Sequence, residues 1–257
     1  MILVRKSRFF LQVAVLWVLV CPGVASAQSP SRFEEANTCY RTGDFEKSAE
    51  LFEALVRDEP GHPVFLYNLG NAYVRTGKLS QAILAFEKAL LASPRNTDVR
   101  QNLEYARSLL EYRVDDDRNW YLKVTEVALS YFTQLEANFL ALVFLALFLL
   151  VGSFYFIFKQ PVFWGMGRKI LVVFVIATGA LAGLKHVQVD MIRPAIIMAN
   201  ECNVRYGPSE HDQIAFKMGE GLKVFIMDRR ADWSRVLLTN GENGWVHHED
   251  ISEITLT

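Results

Sequence analysis

Residues 63–96 read PVFLYNLGNAYVRTGKLSQAILAFEKALLASPRN, and the 34 residues before them repeat the same spacing of key side chains. Equivalent residues lie 34 positions apart in four pairs: Asn37 and Asn71, Gly43 and Gly77, Phe52 and Phe86, and Pro60 and Pro94. A repeat of this length is typical of stacked helical hairpins, in which each unit buries its apolar face against its neighbours. The spacing therefore predicts an all-α helical repeat with copies at 29–62 and 63–96.

The second copy carries the residue types of a packed helix hairpin. Gly70 leaves room where the two helices approach, Gly77 lies at the turn between them, and Pro94 ends the second helix. The apolar residues expected to face into the hairpin are Leu69, Tyr73, Ala82, Phe86 and Ala89. At this spacing, residues 63–96 resemble the tetratricopeptide repeat (TPR), which implies two antiparallel helices in each copy.

The copy at 29–62 departs from this pattern, and a third helix follows the pair. Ala36 stands at the position of the packing glycine, Cys39 at that of the tyrosine, and Ser48 at that of an alanine. Terminal repeats are often atypical because one of their faces meets water. Residues 98–112 begin like another copy and then run into three aspartates, so we expect a cap helix that completes a TPR domain of residues 28–118.

The TPR resemblance implies a concave groove, formed by the first helix of each copy, that binds an extended peptide or a partner helix. The groove residues expected from the family's geometry are Asn37, Tyr40 and Arg41 in the first copy, and Tyr67, Asn71, Val74 and Arg75 in the second. Carboxylate-clamping members of the family use Asn and basic residues at comparable positions, and such groups bind a carboxylate through charge-assisted hydrogen bonds. The alternative is that these are ordinary solvated groove residues, and the third helix lacks the expected basic residue.

The first 27 residues have the pattern of a secretory signal peptide. Three basic residues within positions 5–8 precede an apolar run at 9–20, and small residues at 25–27 suit a cleavage site. The alternative is an uncleaved anchor, which would export the following domain as well. Removal of this segment leaves Cys39 and Cys202, which lie in different domains, so we expect no disulfide framework.

Two further apolar blocks predict a transmembrane helical hairpin. Residues 137–158 would span about 33 Å as a helix, which is enough to cross a hydrocarbon core of about 30 Å. A second span covers 170–187, and the loop 159–169 between them carries basic residues and no acid. Because positive loops stay in the cytoplasm, the TPR domain and the C-terminal segment are both expected on the outer side of a bacterial inner membrane, facing the periplasm.

Details of the hairpin suggest how it is anchored and packed. The juxtamembrane segment 119–136 carries Trp120, Tyr121, Tyr131 and Phe132, and aromatic residues of this kind suit the membrane interface. Residues 124–136 are expected either to form a helix on the outer leaflet or to continue the first span. In the second span, Gly179 and Gly183 are four residues apart, which predicts close packing of the two helices.

Residues 194–257 change to short runs with β-strand character. Leu222, Val224 and Ile226 alternate with Lys223, Phe225 and Met227, and turn residues separate the runs that follow. About five short strands in this length suit a small all-β barrel. The stretch 203–208, read together with the glycine turn at 219–221 and the Asn-Gly-Trp-Val at 243–246, resembles the bacterial SH3 (SH3b) domain.

The SH3b resemblance implies a ligand site near these motif loops, where some members bind peptidoglycan stem peptides. The expected ligand residues are Arg205, Tyr206 and Trp233, and Tyr206 is expected to be the most exposed. The alternative for Trp233 and Trp245 is a place in the barrel core, which we favour for Trp245. His247 and His248 are adjacent on a strand and should point to opposite faces, so no metal site is expected.

Several function classes receive no support from the sequence. A formal net charge of -1 gives no reason to expect nucleic acid as a partner, because neutralising phosphates needs a basic surface. A phosphate-binding loop, a nucleophile elbow, a zinc-binding helix motif and a catalytic Cys–His arrangement are all missing from the sequence. We therefore expect a non-enzymatic protein with neither catalytic residues nor cofactors.

The order of the segments carries a resemblance over nearly the whole chain. A signal peptide, a TPR pair, two spans and a terminal SH3b domain are similar to the BatE-like proteins of the Bat aerotolerance system. This resemblance implies protein partners: membrane proteins with von Willebrand factor A (VWA) domains and, indirectly, a MoxR-type ATPase in the cytoplasm. The leading hypothesis is a scaffold for protein–protein interactions in the bacterial envelope, and the alternative is a wall-sensing protein that binds peptidoglycan through its SH3b domain.

Overall fold

The computed structural model describes residues 30–114, 118–158, 166–191 and 193–256. The expected signal peptide and most of the expected cytoplasmic loop lie outside the described residues. The helices are α1 (Pro30–Thr42), α2 (Phe45–Asp58), α3 (Pro63–Arg75), α4 (Leu79–Ala92), α5 (Thr97–Ser108), α6 (Trp120–Ser130), α7 (Gln134–Phe158) and α8 (Met166–Met191). The strands are β1 (Arg193–Ile197), β2 (Glu201–Arg205), β3 (Ile214–Gly219), β4 (Lys223–Arg230), β5 (Trp233–Leu237), β6 (Asn243–His247) and β7 (Ile251–Glu253).

The predicted helical repeat is confirmed: α1 packs on α2, α3 on α4, and α5 packs on α4 as a third layer. Gly43 and Gly77 take φ values of +89° and +76° at the turns of the two hairpins. Glycine adopts this backbone region without the steric strain that a Cβ atom would cause. The carboxylate of Asp44 accepts a hydrogen bond from the Lys47 amide at 3.2 Å and caps α2. Local turn and cap chemistry therefore fixes where these helices begin and end.

Close packing in the second repeat depends on its predicted glycine. A Cβ atom at Gly70 would lie 2.5 Å from Cε1 of Phe86, whose ring is fully buried. In the first repeat Ala36 occupies that position, and the hydroxyl of Ser48 donates a buried hydrogen bond to the Ala36 carbonyl at 3.0 Å. The two copies thus hold their helices together by different means, one by a glycine contact and the other by a hydrogen bond.

Helices α7 and α8 pack against each other and are both long and apolar enough to cross a membrane. Only 6% of the residues in each candidate span are buried in the protein. The expectation that Gly179 and Gly183 bring the helices together is wrong, because a Cβ at either glycine would have nothing within 4 Å. The helices meet instead through stacked rings of Phe144 and Phe174, and Gly179 lies about 140° around the α8 axis from Phe174.

The C-terminal domain is a single antiparallel sheet with strand order β3-β2-β6-β5-β4-β1-β7. Leu222, Val224 and Ile226 are buried and Met227 is exposed, as the alternating pattern predicted. The described sheet has seven strands where about five were expected from the sequence. Strands β3 and β7 are hard to recognise from the sequence. Buried and exposed residues do not alternate along β3, and β7 is only three residues long.

The β domain docks on the TPR domain, which the sequence did not predict. Ile196 and Ile254 are buried in the same apolar core as Ile83 of α4. At the edge of this contact, a Cβ at Gly221 would lie 2.6 Å from Leu110, and one at Gly219 would lie 2.2 Å from Tyr112. The helix α5 ends at Ser108, short of the expected 112, because the following residues leave the helix and contact the β domain.

Candidate functional site

The first candidate site is the groove side of the TPR domain, where one hydrogen-bonded cluster joins two helices. The side-chain amide of Asn102 in α5 donates to Oδ1 of Asn71 at 2.7 Å and to the hydroxyl of Tyr67 at 3.2 Å. Asn71 and Tyr67 belong to α3 and were predicted from the sequence as groove residues. Asn102 was not, although its place 34 residues after Asn68 marks it as part of the repeat.

A second group of predicted groove residues meets at the turn of the first repeat. The guanidinium of Arg75 lies 4.4 Å from the centre of the Phe45 ring, and the Tyr40 ring contacts Phe45 edge-on at 5.2 Å. Arg41 donates to the hydroxyl of Thr38 at 3.3 Å on its own helix. Arg41 and Arg75 are both exposed, so their remaining N–H groups can meet an anionic or polar ligand.

The structure thus divides the seven predicted groove residues. Tyr67 and Asn71 join the Asn102 cluster, and Tyr40 and Arg75 meet on the ring of Phe45. Val74 is half-buried against the repeat core, Asn37 is half-buried on α1, and Arg41 is exposed on the same helix. Chemically, the groove offers amide and guanidinium donors around aromatic rings, a combination that suits a polar peptide backbone or a carboxylate.

The second candidate site is a loop cluster on the β domain. Arg205 donates to the Asp212 carbonyl and to the Glu210 carboxylate, both at 2.8 Å, and so secures the loop after β2. The same carboxylate lies 2.5 Å from Nε2 of His247, whose ring contacts that of Trp233 at 4.0 Å. The hydrogen bond to His247 and the charge of Arg205 lower the pKa of Glu210. These contacts give the loop a fixed shape.

The predicted SH3b ligand residues differ greatly in exposure, and the side chain of Arg205 is only 16% exposed. Tyr206 is 72% exposed, whereas Trp233 is 7% exposed and lies in the sheet. Trp245 is also 7% exposed, and the guanidinium of Arg230 lies 5.3 Å from the centre of its ring. A ligand at this loop would therefore meet Tyr206 directly, while Arg205 and Trp233 shape the surface beneath it.

The two adjacent histidines of the β domain contact different protein groups, and the two described cysteines are buried. His248 Nδ1 lies 2.8 Å from the Ser234 hydroxyl, so it faces a different partner from His247. Within the described ranges, no three His, Cys, Asp or Glu residues are grouped so that they could hold a metal ion. Cys39 and Cys202 are buried free thiols, and burial together with Asp250 raises the pKa of Cys202 to about 12. That thiol is therefore protonated at neutral pH and is a poor nucleophile.

A buried ion cluster holds the two domains together. The carboxylate of Glu87 on α4 pairs with Arg107 of α5 and, at 3.1 Å, with Lys223 at the start of β4. Burial by itself raises the pKa of Glu87, but the positive charges of Lys223 and Arg107 outweigh it and leave the pKa below the ordinary value. Arg107 and Lys223 also line a cleft of about 510 Å³ between the domains. Because the charges of the cluster are paired internally, we assign the cluster to docking.

Comparison with known proteins identifies the two domains. Residues 33–97 match the family model described as tetratricopeptide repeat, and residues 198–253 match the model described as bacterial SH3 domain. Tetratricopeptide repeat protein 21B of Xenopus laevis is 30% identical over 146 residues, which cover 52% of this chain and 10% of that protein. The chain thus spans about a tenth of that relative's length. The chain is therefore similar to known proteins through a TPR segment and a bacterial SH3 segment on either side of two apolar helices.

Proposed function

We propose that this protein is a non-enzymatic, membrane-anchored scaffold that holds a partner protein in the concave groove of its TPR domain. The observation that carries the proposal is the asymmetry of the TPR domain. Its own β domain covers α4 and the end of α5, whereas α1 and α3 present the exposed guanidinium groups of Arg41 and Arg75. A face that the described residues leave open, with hydrogen-bond donors around aromatic rings, suits a protein partner.

Domain docking supports the membrane arrangement. Leu110 lies before the two apolar helices and Gly221 lies after them, yet the two residues are in contact. Such contact requires an even number of membrane crossings between them, which the hairpin of α7 and α8 supplies. Together with the expected signal peptide and the basic loop, this supports our proposal that both domains lie on the periplasmic side of the inner membrane.

The nature of the partner follows from the resemblance to BatE-like proteins. We propose a membrane complex with VWA-domain proteins, whose periplasmic segments would enter the groove. A MoxR-type ATPase in the cytoplasm would then be coupled indirectly, because the expected cytoplasmic loop is only the short segment 159–169. The finer hypothesis for the groove is that Asn71, Arg41 and Arg75 bind a peptide carboxylate through charge-assisted hydrogen bonds.

Site-specific photo-crosslinking in cells tests the scaffold. A photoreactive amino acid would replace Arg41 or Arg75 in the full chain, and the matched control would carry it at Glu50, an exposed residue of α2. We expect the two groove positions, and not the control, to capture a discrete membrane protein identifiable by mass spectrometry. Equal capture from all three positions, or none from the groove, would contradict the proposal.

Peptidoglycan binding by the β domain is the second candidate function. It is favoured by the match to the bacterial SH3 model and by the exposure of Tyr206 beside the rigid loop of Arg205. Sedimentation of the full chain, in mild detergent, with purified cell wall tests it. We expect retention that is reduced at least about fivefold by Tyr206→Ala, the loss of about 1 kcal/mol of contact energy. A Tyr105→Ala variant, altered in an exposed residue of the TPR domain, serves as the control.

A further inference from the structure

Helix α6 is a separate element between the TPR domain and the first apolar span. It ends at Ser130, and α7 begins at Gln134 after a break of three residues. A reciprocal capping box makes this break: the Thr133 hydroxyl accepts from the Glu136 amide at 3.1 Å, and the Glu136 carboxylate accepts from the Thr133 amide at 3.0 Å. The chain therefore changes direction here instead of extending the span.

One face of α6 is apolar and uncovered by the described protein. Trp120 is 75% exposed, Val124 58%, Val127 50%, and Tyr131, just past the helix, 48%. Their spacing of four, three and four residues places them along one face of a helix. We call these four residues the α6 stripe. Several large apolar side chains exposed in a row are unfavourable in water and indicate a covered surface.

Contacts from both spans and from the TPR domain fix the level at which α6 ends. The ammonium group of Lys185, near the end of the second candidate span, donates to the Leu129 carbonyl at 3.1 Å. Arg95, between α4 and α5, donates to the Tyr131 carbonyl at 3.4 Å and pairs with Glu136 near the start of the first span. The end of α6 thus lies beside the start of the first candidate span and the end of the second.

From this geometry we infer that the α6 stripe lies in the headgroup layer of the membrane leaflet that faces the TPR domain. The inference rests on the proposed membrane hairpin and adds a third contact with the lipid. A lipid surface is the occupant because the stripe ends at Tyr131, three residues before the first candidate span begins at Gln134. The amphipathic rings of Trp120 and Tyr131 at its two ends are also typical of this layer. An amphipathic helix in this plane would hold the TPR domain, through Arg95, at a set height above the bilayer.

Nitroxide accessibility of the full chain in phosphatidylethanolamine and phosphatidylglycerol vesicles tests the inference. Single spin labels would replace Val124 and Val127 after Cys21, Cys39 and Cys202 are changed to Ala. Two references of similar exposure complete the set: Leu142 within the first span, 65% exposed, and Tyr105 in the TPR domain, 56% exposed. Molecular oxygen concentrates in lipid and a nickel chelate stays in water, so their collision rates report the environment of each label.

The measured quantity is the ratio of the collision rate with oxygen to that with the nickel chelate. We expect this ratio to be at least about twofold higher for the labels at 124 and 127 than for the label at 105. The label at Leu142 should show a still higher ratio. Nickel access at 124 and 127 equal to that at 105 would place the stripe in water and overturn the inference. Low access to both reagents would show a protein cover and would also overturn it. High nickel access at 142 would instead refute the membrane hairpin itself. The label at 142 therefore distinguishes a failure of the hairpin from a failure of the inference about α6.

Discussion

The TPR domain has two faces that differ in what covers them and in the chemistry they use. The docked face, formed by α4 and the end of α5, contacts the β domain through tightly packed glycines and the buried carboxylate of Glu87. The open face, formed by α1 and α3, carries amides and exposed guanidinium groups. The same repeat scaffold thus uses one face for stability, and under our proposal the other face binds a partner, so substitutions on the two faces should have different consequences.

The largest effect is expected from Gly221→Ala on the docked face. Gly221 has φ +79°, and an added Cβ would lie 2.6 Å from Leu110 and 3.0 Å from Ile83, so strain and overpacking combine. We expect a loss of about 3 kcal/mol and earlier proteolysis between the domains. Gly241→Ala is the matched control, because Gly241 has φ +91° but nothing within 4 Å, and should cost about 1 kcal/mol. Thermal unfolding of the full chain in detergent measures both, and equal losses would show that the contact with Leu110 is unimportant.

Glu87→Gln should give the next largest effect. It leaves Lys223 and Arg107 without their shared counter-charge in a site where the Glu87 side chain is 10% exposed. Breaking a partly buried ion pair from one side is expected to cost about 2 kcal/mol. Glu50→Gln, at an exposed carboxylate of α2, should be neutral in the same unfolding assay. A neutral Glu87→Gln would mean that the ion cluster contributes nothing net to docking.

The same carboxylate predicts how docking depends on pH. The pKa of Glu87 in the folded protein is below its ordinary value of 4.5, so protonation favours the separated or unfolded state. The stabilisation should be complete above the ordinary value and disappear as pH falls through the lowered pKa. Unfolding midpoints measured from neutral to acid pH should therefore fall more steeply for the native chain than for Glu87→Gln. Parallel curves would contradict this assignment.

The smallest effect on stability is expected on the open face. Arg75→Ala removes an exposed guanidinium from the Phe45 ring and should cost about 0.5 kcal/mol. Asn102→Ala removes two hydrogen bonds at the groove and should cost about 1 kcal/mol. Both variants should nevertheless lose partner recovery in affinity purification from detergent, while Glu50→Ala keeps it. Full recovery of the partner with either groove variant would contradict binding in the groove and would point to the β domain as the contact.

Patterns that repeat along the chain were predictable. The 34-residue period located both helix hairpins, and Gly70 was identified as the packing glycine because close helix contact excludes a side chain. Alternation of apolar and polar residues located β4, since successive side chains of a strand point to opposite faces. These features depend on neighbours close in sequence or on a fixed period, which is why residues alone indicate them.

Pairings between distant segments were not predictable. Glu87 and Lys223 are 136 residues apart, and each resembles an ordinary surface charge in the sequence. Gly179 and Gly183 have the spacing of a helix-packing motif, yet the contact surface of α8 lies elsewhere, because Phe174 stacks on Phe144. For the groove, the sequence named Tyr67 and Asn71 but not their partner Asn102, which lies on the next helix.

The sequence by itself determined the kinds of domain in this protein, their order and the residue types at their turns, because helix and strand periods and glycine backbone preferences act locally. Only the tertiary structure decided which face of the TPR domain stays open. That choice depends on the fit of Ile196 and Ile254 into the repeat core and on charge pairing at Glu87. Such contacts join residues that are far apart in the sequence, on either side of the two apolar helices.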